Sequence, residues 1–216
     1  TNKKYYKMGI QKNKRYKRVE NDDTICIKKI NSLINKLTHD TCDNIIKEIM
    51  PLLKSQILSY IIENIIEKSL MHHIYIDLYV KLIYNISKNF NIYILLNKEI
   101  ETKYTKLLNF KIEGETYVDL CNKNNNLDKM SGLSILITHL EKENKINNGS
   151  QKIIDDLIQK INYNDLDNLF KIIVCIYNIF KINTSLKEKY IDKLNEIKNN
   201  KINSRIKFKI MDILDI

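Results

Sequence analysis

The chain has almost nothing with which to make tight turns. Its 216 residues include four glycines (Gly9, Gly114, Gly132 and Gly149) and one proline, Pro51. A sandwich or barrel reverses direction about every ten residues and draws on glycine and proline to do so. An all-β fold is therefore not expected. The glycines never cluster, which also excludes a Gly-rich loop cradling phosphates.

What the sequence offers instead is helical periodicity. From Thr24 onward, apolar residues recur at helical spacing between short polar breaks. Thr24 is placed to cap a first helix carrying Ile27, Ile30, Leu33, Ile34 and Leu37. Thr38 is placed to cap a second, through Ile45, Ile46 and Ile49, which Pro51 ends. Ser55 opens a third, where Leu58, Ile61, Ile62, Ile65, Ile66 and Leu70 make a wide apolar stripe. Further helices are expected at about 72–88, 95–110, 128–143, 150–161 (capped by Ser150), 164–181, 184–199 (capped by Thr184) and 203–215. The polar stretch at about 111–127, with Gly114 and the run NKNNN, is expected to be a long loop. Ten helices joined by short breaks predict an all-α chain of about five antiparallel helix pairs, each too small to bury its own face. The architecture expected is an α-solenoid, with an irregular helical bundle as the alternative.

Composition limits the functional classes. Hydrophobic residues make up 44% of the chain, enough for a core, and no apolar run approaches the ~18 residues of a membrane span. The opening TNKKYYKMGIQKNKRYKR has no apolar segment of the signal-peptide kind, and a cytoplasmic location is expected. Isoleucine, lysine and asparagine number 40, 33 and 28, and alanine is absent. These are residues of A+T-rich codons, so polar tracts are discounted as functional signals.

Charge is informative once located. The net charge is +10, but residues 1–18 hold eight bases and no acid, while the other 198 residues hold 28 bases and 26 acids. Residues 1–23 therefore read as a flexible basic extension and 24–216 as the folded domain. Lys3, Lys4, Lys7, Lys12, Lys14, Arg15, Lys17 and Arg18 are interleaved with Tyr5, Tyr6 and Tyr16, a pattern suited to RNA. A merely solubilising extension is the alternative.

No catalytic or metal constellation is proposed by the sequence. Cys26, Cys42, Cys121 and Cys175 show no metal-binding or redox spacing and read as buried, reduced thiols. His72 and His73 are adjacent, so on a helix their rings diverge by about 100°. His39 is expected to pair with Asp40, and His139 with Glu143 one turn on. Asp155 and Asp156 are expected at a helix start, where the dipole favours acids. Neither an enzyme nor a cofactor site is expected.

Three segments, in order, resemble the middle domain of translation initiation factor 4G. They are INSLINKLTHDTCDNI at 30–45, LSYIIENIIEKSL at 58–70 and SRIKFKIMDILDI at 204–216. SGLSILITHL at 131–140 and KYIDKLNEIKNNK at 189–201 are weaker echoes. The sequence departs from the family at Cys42, where phenylalanine is usual, and at His39, where proline is usual. HHIY at 72–75 replaces a Glu-Pro pair, and SGLSI lacks the family's asparagine and basic residue.

The resemblance implies a HEAT-type domain over 24–216 that binds and stimulates a DEAD-box RNA helicase of the initiation factor 4A class. It implies contact with RNA, and other initiation factors reached through regions outside this chain. On matching positions the helicase contacts would be Ile34, Leu37 and Cys42 at one end and Arg205, Lys207 and Lys209 at the other. Core packing is the alternative for Ile34 and Leu37. For the basic three, the alternatives are a solvated face or RNA contact. Arg205 and Lys209 share a helix face and are expected to face solvent. Two other functional classes remain: a direct RNA-binding module, and a related helicase-binding scaffold of splicing or nonsense-mediated decay.

Overall fold

The computed structural model describes residues 21–109 and 116–216, so residues 1–20 of the basic extension and the start of the expected long loop lie outside the described residues. The described residues form ten α-helices and no strand. In chain order these are α1 (Asp22–Ile34), α2 (Cys42–Ile49), α3 (Leu58–Met71), α4 (Ile76–Asn89), α5 (Tyr93–Leu108), α6 (Tyr117–Lys142), α7 (Gly149–Gln159), α8 (Leu166–Ile182), α9 (Ile191–Asn199) and α10 (Ser204–Leu214). Short 3-10 turns precede α3, α4 and α9.

The wide-striped helices form where their apolar periodicity runs. Leu58, Ile61, Ile62, Ile65, Ile66 and Leu70 of α3 are all buried, as the stripe requires. The caps differ from expectation. Helix α1 starts two residues ahead of Thr24, with Asn21 accepting the Asp23 N–H (3.4 Å) and with two acids in its positive first turn. Thr38 does not cap α2 but shares a box with Thr41. Their hydroxyls lie 2.8 Å apart, and each backbone N–H donates to the other's hydroxyl. The helix itself begins at Cys42. Ser150 lies inside α7, buried, and its backbone N–H donates to the Glu141 carboxylate at 3.0 Å.

The largest correction concerns the expected loop at 111–127. From Tyr117 onward it is the first three turns of a 26-residue helix, α6. Thr116 and Asp119 form a capping box: the Thr116 hydroxyl accepts the Asp119 N–H (3.2 Å), and the Asp119 carboxylate accepts the Thr116 N–H (3.1 Å). Ion pairs Lys123–Asp165 and Lys171–Asp128 then tie this polar half to the α8 region. Its Tyr117, Val118 and Leu120 stay exposed, so no apolar stripe announces it.

The second half of α6 is the centre of the molecule. Helix α6 packs against α3, α4, α5, α7 and α8. From Met130 to Leu140 only Ile135 and His139 reach solvent even in part. Helices α2, α4, α6, α8 and α10 form one continuous file, each packing on the next. On the other side α1, α3 and α5 are in succession, and α7 and α9 pack on α8 and α10.

A helix buried on all sides needs small residues where its neighbours come close. Ser131, Gly132, Ser134 and Thr138 supply them. The hydroxyls are satisfied locally: Ser134 donates to the Ser131 carbonyl (2.8 Å) and Thr138 to the Ser134 carbonyl (2.7 Å). Gly132 is tightest. A Cβ there would sit 2.7 Å from the Leu70 carbonyl oxygen of α3 and 2.6 Å from His73 Nε2. Alanine at an open helix position stabilises by up to about 1 kcal/mol over glycine. Gly132→Ala should reverse that sign and destabilise by about 1–3 kcal/mol, because backbone must move apart. Urea unfolding of the variant measures this.

Candidate partner-binding surface

Two shallow clefts adjoin at the α6–α7 turn and share Asn148 and Lys152. The tighter one, about 190 Å³, lies between Ile100 and Tyr104 of α5 and Ile146, Asn148 and Ile153 at the start of α7. The more open one is lined by Asn148, Gln151, Lys152, Asp155 and Asp156.

The charged groups and the tyrosine of these clefts are engaged with one another or with Tyr190. Tyr104 of α5 donates to Asp156, and Tyr190, just ahead of α9, donates to Asp155 at 2.7 Å. Lys152 pairs with Glu101 at 3.1 Å. Burial and the adjacent carboxylates push both phenols well above their ordinary value, so neither loses its proton near neutrality. The two aspartates stand within α7, not at its start, and serve to hold α7 between α5 and the α9 region. This is a structural clasp rather than an acid–base pair.

The histidines do not converge. His39 faces Asp77 (3.6 Å) rather than Asp40. His72 is exposed, while the His73 ring nitrogen meets the Leu70 carbonyl at 2.9 Å. Burial pushes His139 below the usual imidazole value, which keeps it neutral at pH 7. Cys175 is buried between α6 and α8, and burial pushes its thiol up to about 12. Among the described residues no group of three or more acidic, histidine or cysteine side chains could hold a metal ion. No helix there is long and apolar enough to cross a membrane.

The residues singled out for partner binding divide sharply. Ile34, Leu37 and Cys42 are 1%, 5% and 2% exposed and pack inside the α1–α2 corner. Their side chains cannot themselves meet a partner. What that corner presents outward is Asn35, Lys36, Thr38, His39 and Asp40. At the other end, α10 buries Ile206, Ile210 and Ile213 against the body. The Arg205 guanidinium stacks on the Phe170 ring of α8, 3.6 Å from its centroid. Lys209 does not face open solvent. Its ammonium lies 3.3 Å from the Tyr177 ring centroid and 3.2 Å from Asp212. Both cations therefore help to fasten α10 to α8. Only Lys207 stands clear of such contacts, on the exposed face.

Beside Lys207 lie two residues that sequence reasoning passed over. Phe208 is 64% exposed and Met211 is 46% exposed, one turn apart on the outer face of α10. The signal was present in the sequence: both fall off the Ile206–Ile210–Ile213 stripe. The eight bases assigned to RNA within residues 1–18 lie outside the described residues.

No protein-family model matches the chain, and no curated protein matches it significantly.

The division on α10 is measurable. Lys209→Glu should lower unfolding stability by about 1–2 kcal/mol, since it removes the contact with Tyr177 and sets a second carboxylate beside Asp212. Lys207→Glu should change stability by less than about 0.5 kcal/mol. Parallel urea titrations of the two variants decide whether Lys207 alone is free for a partner.

Proposed function

We propose that this chain is a translation-initiation scaffold domain, built of HEAT-like helix pairs α1/α2 through α9/α10, that binds and stimulates a two-lobed DEAD-box RNA helicase of the initiation factor 4A class and contacts RNA. One observation carries the reading. The three segments that resemble the factor 4G middle domain fall on the end of α1 with the start of α2, on nearly all of α3, and on α10. The first and last of these stand at opposite ends of the α2–α4–α6–α8–α10 file.

In this reading each lobe of the helicase meets one end. The exposed α1–α2 corner takes one lobe; Lys207, Phe208 and Met211 on α10 take the other. Holding both lobes on one rigid body raises their effective concentration for each other. Stimulation follows only if the domain binds a partly closed arrangement better than the open one. The scaffold contributes no group to ATP hydrolysis. Phe208 supplies the kind of exposed aromatic anchor that dominates protein interfaces.

The test is ATP turnover by the helicase at saturating RNA, with and without the domain. The domain should raise the rate, and Lys207→Glu combined with Phe208→Ala should abolish the rise while leaving the fold intact. No stimulation and no complex at concentrations on the order of tens of micromolar would reject the reading. A tight complex without stimulation would favour a scaffold of the splicing or decay type.

A further inference from the structure

One cluster apart from the surfaces above sets uncompensated charge beside an exposed ring. Tyr84 stands on the outer face of α4 and is 38% exposed. The Lys88 ammonium lies 4.5 Å from its ring centroid and the Lys145 ammonium 4.9 Å. Lys88 comes from the next turn of α4. Lys145 comes from the turn between α6 and α7, so two separate segments deliver a cation to one ring.

The backbone fixes the second of these. Asn144 and Asn148 both take left-handed φ, 55° and 53°. The Lys145 N–H donates back to the Leu140 carbonyl at 2.8 Å, closing the end of α6. Lys145 is thus held by a hydrogen-bonded reversal rather than carried on a loose loop.

Some lysines of the body pair with acids, as Lys81 does with Asp43, Lys103 with Glu67, Lys152 with Glu101 and Lys171 with Asp128. Lys88 and Lys145 do not. Among the described residues no carboxylate comes within ion-pair distance of either, although Glu143 is two residues from Lys145 in sequence. A ring face attracts an ammonium but does not cancel its charge. The pair therefore stands ready for an anion, and the ring beneath the two ammoniums is a flat apolar surface.

We propose that Tyr84, Lys88 and Lys145 form a binding site for single-stranded RNA on the folded body of the domain. Each ammonium leaves the Tyr84 ring for one of two successive phosphates, and the base between them stacks on the ring so uncovered. A duplex does not fit this description, because its bases are already stacked and cannot reach the ring. The site rests on the RNA contact of the proposed function and is independent of the helicase.

The experiment is a titration of the full chain, without helicase, against a labelled oligouridylate over a series of salt concentrations. Lys88→Glu with Lys145→Glu should weaken binding at least about tenfold and flatten the log–log salt slope by about 1.4, the loss of two single-strand phosphate contacts. Tyr84→Leu should weaken binding about fivefold with the slope unchanged, and Tyr84→Phe, which keeps the ring, should bind normally. In the unaltered chain, ultraviolet cross-linking should join uridine to the peptide bearing Tyr84, a readout that needs no variant to fold. Unchanged affinity in the double lysine variant, or normal binding by Tyr84→Leu, would overturn the site. So would a double variant that binds RNA normally but loses the helicase, since the surface would then belong to a protein partner. Failure of the unaltered domain to stimulate a helicase would reject the helicase reading and leave this titration unaffected.

Discussion

The structure turns on the close approach of α6 to α3 and α8. A helix surrounded on all sides can be reached by its neighbours only where its side chains are small. Ser131, Gly132, Ser134 and Thr138 meet that condition in eight residues. Their hydroxyls bond to the helix's own carbonyls and to Ser150 and Asn178, so no buried side-chain polar atom among the described residues lacks a partner. The isoleucines around this segment fill the rest. Ile61, Ile62, Ile65 and Ile66 of α3, and Ile172, Ile173, Ile176 and Ile179 of α8, are all buried.

From that centre polar ties run along both sides of the molecule. The file of even-numbered helices adds the ion pairs Lys81–Asp43, Lys123–Asp165 and Lys171–Asp128 to its packing, with cations laid on rings where α10 meets α8. The other side is stitched by polar ties at each step: Asn64 to Asn31 between α3 and α1, Lys103 to Glu67 between α5 and α3, Tyr104 to Asp156 between α5 and α7, Tyr190 to Asp155 beyond. Exposed ion pairs contribute little individually. The tyrosine–aspartate bonds are partly buried and charge-assisted, so they set the position of α7 more firmly.

How much of this could be read from the sequence follows from what each residue depends on. Helices α3 and α8 were legible because their stripes are buried over a wide face, and a stripe is a local pattern. The first half of α6 was not, because it buries few apolar groups and its asparagines resemble a loop. Only the Thr116–Asp119 spacing marked its start. Lys209 was misjudged because sequence spacing sees its own helix and not Tyr177 of α8. Ile34, Leu37 and Cys42 lie at a corner whose apolar side could equally have faced a partner until α2 was seen to fold over it. The Tyr84 site was invisible for the same reason: Lys145 is 61 positions further along the chain and reaches the ring only through the α6–α7 turn.

Native-state hydrogen exchange tests the central claim, that the second half of α6 is the element on which the others pack. Amides of residues 130–140 should exchange only through global unfolding, together with those of α8 and the middle of α3. Amides of 117–127 should open at much lower free energy, since that half of the same helix is held by ion pairs and a cap alone. Equal protection along the whole of α6, or faster exchange in 130–140 than in α1 or α10, would contradict the account.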